Sequence, residues 1–73
     1  MISESNIYQL IGSKIKSIRE NNRLTQQQIA DSCDFEKSTI SRIESGRTNL
    51  TVKTLYKLSI ALDVSVKELV DFE

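Results

Sequence analysis

Ile7, Leu10, Ile11, Ile15 and Ile18 recur at spacings of three and four, so the first patterned segment reads as an amphipathic helix over about 6 to 21, ended by Asn21 and Asn22. Three later stretches carry a different mark: an apolar residue, then a cap position, then a second apolar residue five places after the first. This is the hydrophobic staple, and it falls at Leu24 with Ile29 around Thr25, Leu50 with Leu55 around Thr51, and Val64 with Leu69 around Ser65. Thr25 to Gln28 and Ser65 to Glu68 also fit the capping box, in which each end satisfies a backbone donor of the other. Phe35 and Ile40 repeat the spacing, but Glu36 at the cap position is a poor cap; Asp34, just before, can take a left-handed turn conformation or accept from a nearby amide. The pattern predicts five helices, at about 6 to 21, 25 to 32, 36 to 44, 51 to 62 and 65 to 71. No strand-like alternation competes with it, and proline is absent.

Between the second and third predicted helices stand only Cys33, Asp34 and Phe35, and so short a turn forces a steep crossing, the geometry of a helix-turn-helix. Gly46 is placed to close the third helix. At 100° per residue, Ile40, Ile43 and Glu44 fall on one side of that helix and Ser38, Ser41, Arg42 and Ser45 on or near the other, with Lys37 on the shoulder. Small hydroxyl residues beside a long arginine suit a helix laid in a major groove, where serine permits close approach and arginine grips guanine O6 and N7. Taken alone, the same face also reads as ordinary solvated surface. Glu44 on the apolar side requires a partner, and Arg19, next to core-facing Ile18, is the candidate for a partly buried pair; two exposed, separate charges are the alternative.

Composition narrows the function classes. Seventy-three residues make one domain, 1–73, that buries only about 60% of its unfolded surface. Histidine is absent, which removes the usual general base and most metal sites, and the single Cys33 has no disulfide partner within the chain and reads as a small buried hydrophobe. An enzyme, a metal centre and a cofactor are therefore not expected. The opening MISESNIYQL has no basic segment followed by an apolar stretch, and no apolar run is long enough to span a membrane, so a soluble cytoplasmic protein is expected. Ten basic residues balance ten acidic ones, a caution against nucleic-acid binding. Their placement is uneven: residues 1–57 hold nine basic residues against six acids, and residues 58–73 hold Lys67 against Asp63, Glu68, Asp71 and Glu73. A normally mixed soluble surface gives the same numbers.

The stretch RLTQQQIADSCDFEKSTISRIESGRTNLTVKTLYKLSIALDVSVKEL resembles the Xre or lambda-repressor-like helix-turn-helix family over nearly the whole chain. The resemblance is carried by Leu24-Thr25-Gln26 opening the second helix, by Ile29 and Ala30, by the ISRIE-x-G run from Ile40 to Gly46, and by the segment from Leu58 to Leu69. It implies an all-α, five-helix DNA-binding domain with the helix-turn-helix at helices 2 and 3. It also implies roles: Lys37, Ser38, Ser41 and Arg42 at base edges; Thr25, Gln26, Arg47, Thr48, Asn49 and Lys53 at phosphates; and Arg19 with Glu44 as the family's buried ion pair. Two departures stand out, Asp34 where glycine is common and Glu36 where a serine or threonine cap is common. Glu36 places negative charge favourably at a helix start, yet it also repels phosphate or accepts from a cytosine amino group.

One such domain reads few base pairs, so two copies on a pseudo-palindromic operator in double-stranded DNA are expected. Tyr56 and Ile60, on a stripe of the fourth helix distinct from Leu55, Leu58 and Leu62, form with Val66, Val70 and Phe72 a candidate homodimer patch; some of these instead complete the core. The expectation is a small dimeric transcriptional regulator, similar to stand-alone restriction-modification controllers and short phage-type repressors. Activation and repression, and contact with RNA polymerase, are left open, and no small-molecule effector is indicated. The rival is a protein-interaction module such as an antitoxin, which zero net charge and the acidic end favour slightly.

Overall fold

The computed structural model describes residues 3–72; Met1, Ile2 and Glu73, the last counted above in the acidic end, lie outside the described residues. In chain order the helices are α1 (Glu4–Asn21), α2 (Gln26–Cys33), α3 (Lys37–Glu44), α4 (Val52–Leu62) and α5 (Val66–Leu69), and the described residues include no strand. The all-α five-helix reading therefore holds. Boundaries differ by more than one residue at two ends. Ser3 starts α1 earlier than the apolar stripe suggests, its hydroxyl accepting from the Asn6 N–H at 3.2 Å, and α5 stops at Leu69 rather than at about 71.

Three of the linkers are one device used three times. Arg23, Asp34 and Asp63 sit in the left-handed region at φ of 57°, 59° and 57°. Each is followed by an apolar residue, Leu24, Phe35 or Val64, whose N–H reaches five residues back to the carbonyl of Arg19, Ala30 or Ser59 at 3.1, 2.8 and 3.0 Å. That is the Schellman closure. The same apolar residue is the first half of the staple of the next helix: Leu24, Phe35 and Val64 are half-buried against the core, and Ile29, Ile40 and Leu69 are fully inside it. One side chain thus ends one helix and starts the next, which is why these linkers are only three or four residues long. The α3 terminus uses Gly46 at φ +75° in the same closure, Gly46 N–H to Ile43 O and Arg47 N–H to Arg42 O. Thr25 completes a full capping box with Gln28. Thr51 and Ser65 cap through their hydroxyls, and Glu36 makes no side-chain cap.

α3 packs between α1 and α2; α4 lies on α2 and carries α5, which returns to α1. Ile11, Ile15, Ile29, Ile40, Ile43, Leu55, Leu58, Leu62 and Leu69 form the core with Ala30 and Cys33. Leu10 departs from the predicted stripe: it is 37% exposed. The apolar face of α1 centres on Ile11 and Ile15, and Leu10 stands about 100° away from Ile11 around the helix. In the other direction lies Gly12, where a β-carbon would sit 2.3 Å from the Ile43 carbonyl oxygen and 2.7 Å from that of Glu44. The missing side chain lets the end of α3 dock directly on the α1 backbone.

Candidate nucleic-acid interface

That docking places a carboxylate inside the domain. Glu44 and Arg19 are 7% and 8% exposed, and the guanidinium meets the carboxylate twice, Nε to Oε2 at 2.6 Å and Nη2 to Oε1 at 3.1 Å. Arg19 Nη1 donates to the Leu24 carbonyl at 2.7 Å, and Gln26 Nε2 donates to Glu44 Oε1 at 3.0 Å. The hydrogen bond that Arg19 donates to Glu44 holds the guanidinium above its ordinary range, against the opposing effect of burial. One network therefore ties α1, the start of α2 and the end of α3 together. The α3 axis is held by this network at its C-terminal end and by Ile40 and Ile43 in the core.

With that side fixed, the other side of α3 faces out. Lys37, Ser38 and Arg42 are exposed and Ser41 is half-buried. Ser45 is exposed; its hydroxyl donates to the Arg42 carbonyl at 3.1 Å and accepts from Arg47 Nε at 2.8 Å, so the following loop is bound to the helix. Of the residues expected at phosphates, Thr25 is exposed at the α2 cap, its oxygen accepting from Gln28 N–H at 3.1 Å, which leaves the hydroxyl proton to donate elsewhere. Gln26 is half-buried and committed through Nε2 to Glu44. Thr48 donates to the Asn49 carbonyl at 3.4 Å, Asn49 and Arg47 are exposed, and Lys53 is exposed in the first turn of α4.

Gln26 and Ser41 come together in a polar cleft of about 160 Å³, completed by Lys16, Glu44 and Ser45. Sequence reasoning missed Lys16. The signal was present: Lys16 is three residues before Arg19 on α1 and so shares its face.

The patch expected at a dimer interface divides. Tyr56, Ile60 and Val70 are 59%, 64% and 41% exposed, whereas Val66 and Phe72 are half-buried and pack on the core. Beside Tyr56 and Ile60 opens a mainly apolar groove of about 430 Å³ lined also by Ser32, Cys33, Asp34 and Lys57. Lys57 Nζ stands 5.1 Å over the Phe35 ring. Cys33 is buried at the end of α2, its thiol donating to the Lys57 carbonyl at 3.6 Å; burial pushes the thiol up and Lys57 pulls partly against this. Among the described residues no helix is long and apolar enough to cross a membrane, and no acidic or thiol cluster is arranged to hold a metal ion.

The arrangement is that of a rigidly seated outward helix preceded by a three-residue turn, and residues 15–69 match the family model described as helix-turn-helix, HTH_3. The chain belongs to this helix-turn-helix family. It is 38% identical over 69 residues to the control protein C.BamHI of Bacillus amyloliquefaciens, covering 93% of this chain and 85% of that protein. The crystal structure of the restriction-modification controller protein C.AhdI from Aeromonas hydrophila superposes with a TM-score of 0.82 at 26% identity, over 85% of this chain and 94% of that one. The C.Esp1396I controller tetramer, in complex with its natural 35 base-pair operator, matches with a TM-score of 0.79 at 30% identity, over 93% of this chain and all of that one.

Proposed function

We propose that the protein is a sequence-specific, DNA-binding transcriptional regulator of the restriction-modification controller kind, acting as a homodimer on a pseudo-palindromic operator. The observation that carries this reading is the division of α3: Ile40, Ile43 and Glu44 are locked inside the domain, and Lys37, Ser38 and Arg42 are exposed beside half-buried Ser41. Lys37, Ser38, Ser41 and Arg42 are the base readers, since their donors and small hydroxyls fit the major-groove edge. Thr25, Gln26, Arg47, Thr48, Asn49 and Lys53 hold the phosphates on either side and fix the register. Tyr56, Ile60 and Val70 form the exposed part of the dimer patch, with Val66 and Phe72 beneath it. In this reading the zero net charge is a sum over two ends, because Asp63, Glu68 and Asp71 belong to the α4–α5 end.

The protein acts by occupancy of a promoter or by touching RNA polymerase from the operator. It works in the cytoplasm as a binding protein and not as an enzyme, a reading supported by its controller relatives and by the buried, pKa-raised state of its one thiol. Selection of bound sites from random duplex DNA tests the function, with affinity then measured across a salt series. A palindromic consensus and a steep loss of affinity with salt are expected. Failure to enrich any site, with no salt dependence, would leave a protein-interaction module as the better account. A light-scattering mass of one chain at micromolar concentration without DNA would refute the dimer.

A further inference from the structure

The repeated linker supplies an internal control for Glu36. At the caps of α2 and α5 the backbone angles are φ −86°, ψ 162° at Thr25 and φ −81°, ψ 156° at Ser65, and each hydroxyl accepts from the third residue of its helix at 3.1 Å. Glu36 has the same backbone, φ −78°, ψ 150°, after the same left-handed residue and the same half-buried apolar residue, yet its side chain makes no cap. The position is shaped for serine or threonine and holds a residue that leaves the cap unmade. Its carboxylate goes elsewhere: Oε2 lies 3.5 Å from Ser38 Oγ, on the exposed side of α3 and next in sequence to Lys37.

We propose that Glu36 reads a base, its carboxylate accepting a hydrogen bond from the exocyclic N4 amino group of a cytosine in each half-site. This rests on the DNA-binding reading above. A carboxylate offers acceptors only, and the major-groove edges of guanine and thymine present acceptors to it, so those bases are repelled. Adenine places its N7 acceptor beside its amino group, whereas the cytosine edge has the donor alone. Glu36 followed by Lys37 sets an acceptor beside a donor. A C·G pair has the matching order, an N4 amino group beside guanine O6 and N7. Local stability is given up at the tip of the helix that meets DNA, and cytosine selectivity is what it supplies.

The test compares the wild type with Glu36→Ala, Glu36→Gln and Glu36→Ser in site selection from random duplexes, with melting temperatures alongside. The wild type is expected to prefer cytosine about tenfold at one position per half-site, and Glu36→Ala to lose that preference alone. Glu36→Gln is expected to move it to adenine, which an amide grips through N6 and N7. Glu36→Ser restores a cap and is expected to raise Tm by about 4–8 °C. In a Watson–Crick pair N4-methylcytosine directs its methyl group into the major groove in place of the free amino proton. At the selected position it is expected to weaken the wild type about tenfold and Glu36→Ala not at all. The proposal is overturned if Glu36→Ala selects the wild-type site, or if the wild type is indifferent to N4-methylcytosine there. A Glu36→Ser protein no more stable than the wild type overturns it too, since Glu36 would then stabilise the helix in its own way. A wild type that enriches no site at all overturns the DNA-binding reading instead.

Discussion

Replacing Glu44 with alanine removes three hydrogen bonds at once, two from Arg19 and one from Gln26. Arg19, 8% exposed in the wild type, keeps only the Leu24 carbonyl, so a full positive charge is left in the domain with one partner in place of two. Breaking a buried pair from one side costs about 3–5 kcal/mol, because the remaining charge keeps its desolvation penalty and loses the attraction that offset it. A domain of this size has a total stability of roughly 4–11 kcal/mol, and each kcal/mol shifts its melting point by about 4–8 °C. Glu44→Ala should therefore melt roughly 12–40 °C below the wild type, as followed by circular dichroism, and lose DNA binding in the same temperature range. The double variant Arg19→Met, Glu44→Leu is the control. It removes both charges and keeps apolar volume, so it should recover most of the loss. A Glu44→Ala melting point within about 2 °C of the wild type, far inside that expected loss, would show that the network is not stabilising and refute the reasoning.

Three further outcomes are expected. Arg42→Ala should weaken operator binding by about 1–3 kcal/mol and relax discrimination at one base pair, measured on single-substitution operators; equal weakening on all of them would make Arg42 a phosphate contact. Gly12→Ala places a methyl group 2.3 Å from the Ile43 carbonyl oxygen and should destabilise by about 1–3 kcal/mol in urea unfolding, whereas an unchanged midpoint would mean that α1 and α3 can part freely. Burial raises the Cys33 thiol, so its contribution to stability is complete below the ordinary thiol range near about 8.5 and declines as pH rises through the folded value. Stability should fall more steeply at alkaline pH in the wild type than in Cys33→Ala, and identical slopes would count against a buried neutral thiol.

The two sides of α3 were legible because Ile40, Ile43 and Glu44 share one side at helical spacing, and Arg19 was legible as a partner because Glu44 needed one. Gln26 was legible only in part. Sequence spacing places it at the start of α2 but says nothing of the 3.0 Å bond to Glu44, which depends on how α2 and α3 cross. The same limit hid Lys16, which becomes part of a polar cleft with Ser41 and Ser45 only when α1 and α3 meet.

Sequence by itself determined the inner helix boundaries to within about a residue, since caps, staples and left-handed closures act within about five residues and depend on local chemistry; the start of α1 and the end of α5 each moved by two. It also determined which face of each long helix is apolar. Only the tertiary structure decided that Gly12 is a contact surface, that Leu10 turns outward, and that Val66 and Phe72 pack on the core while Tyr56 and Ile60 stay exposed. Those outcomes depend on the distance between elements far apart in sequence. A helical repeat specifies the direction in which a side chain points, but not what stands there to meet it.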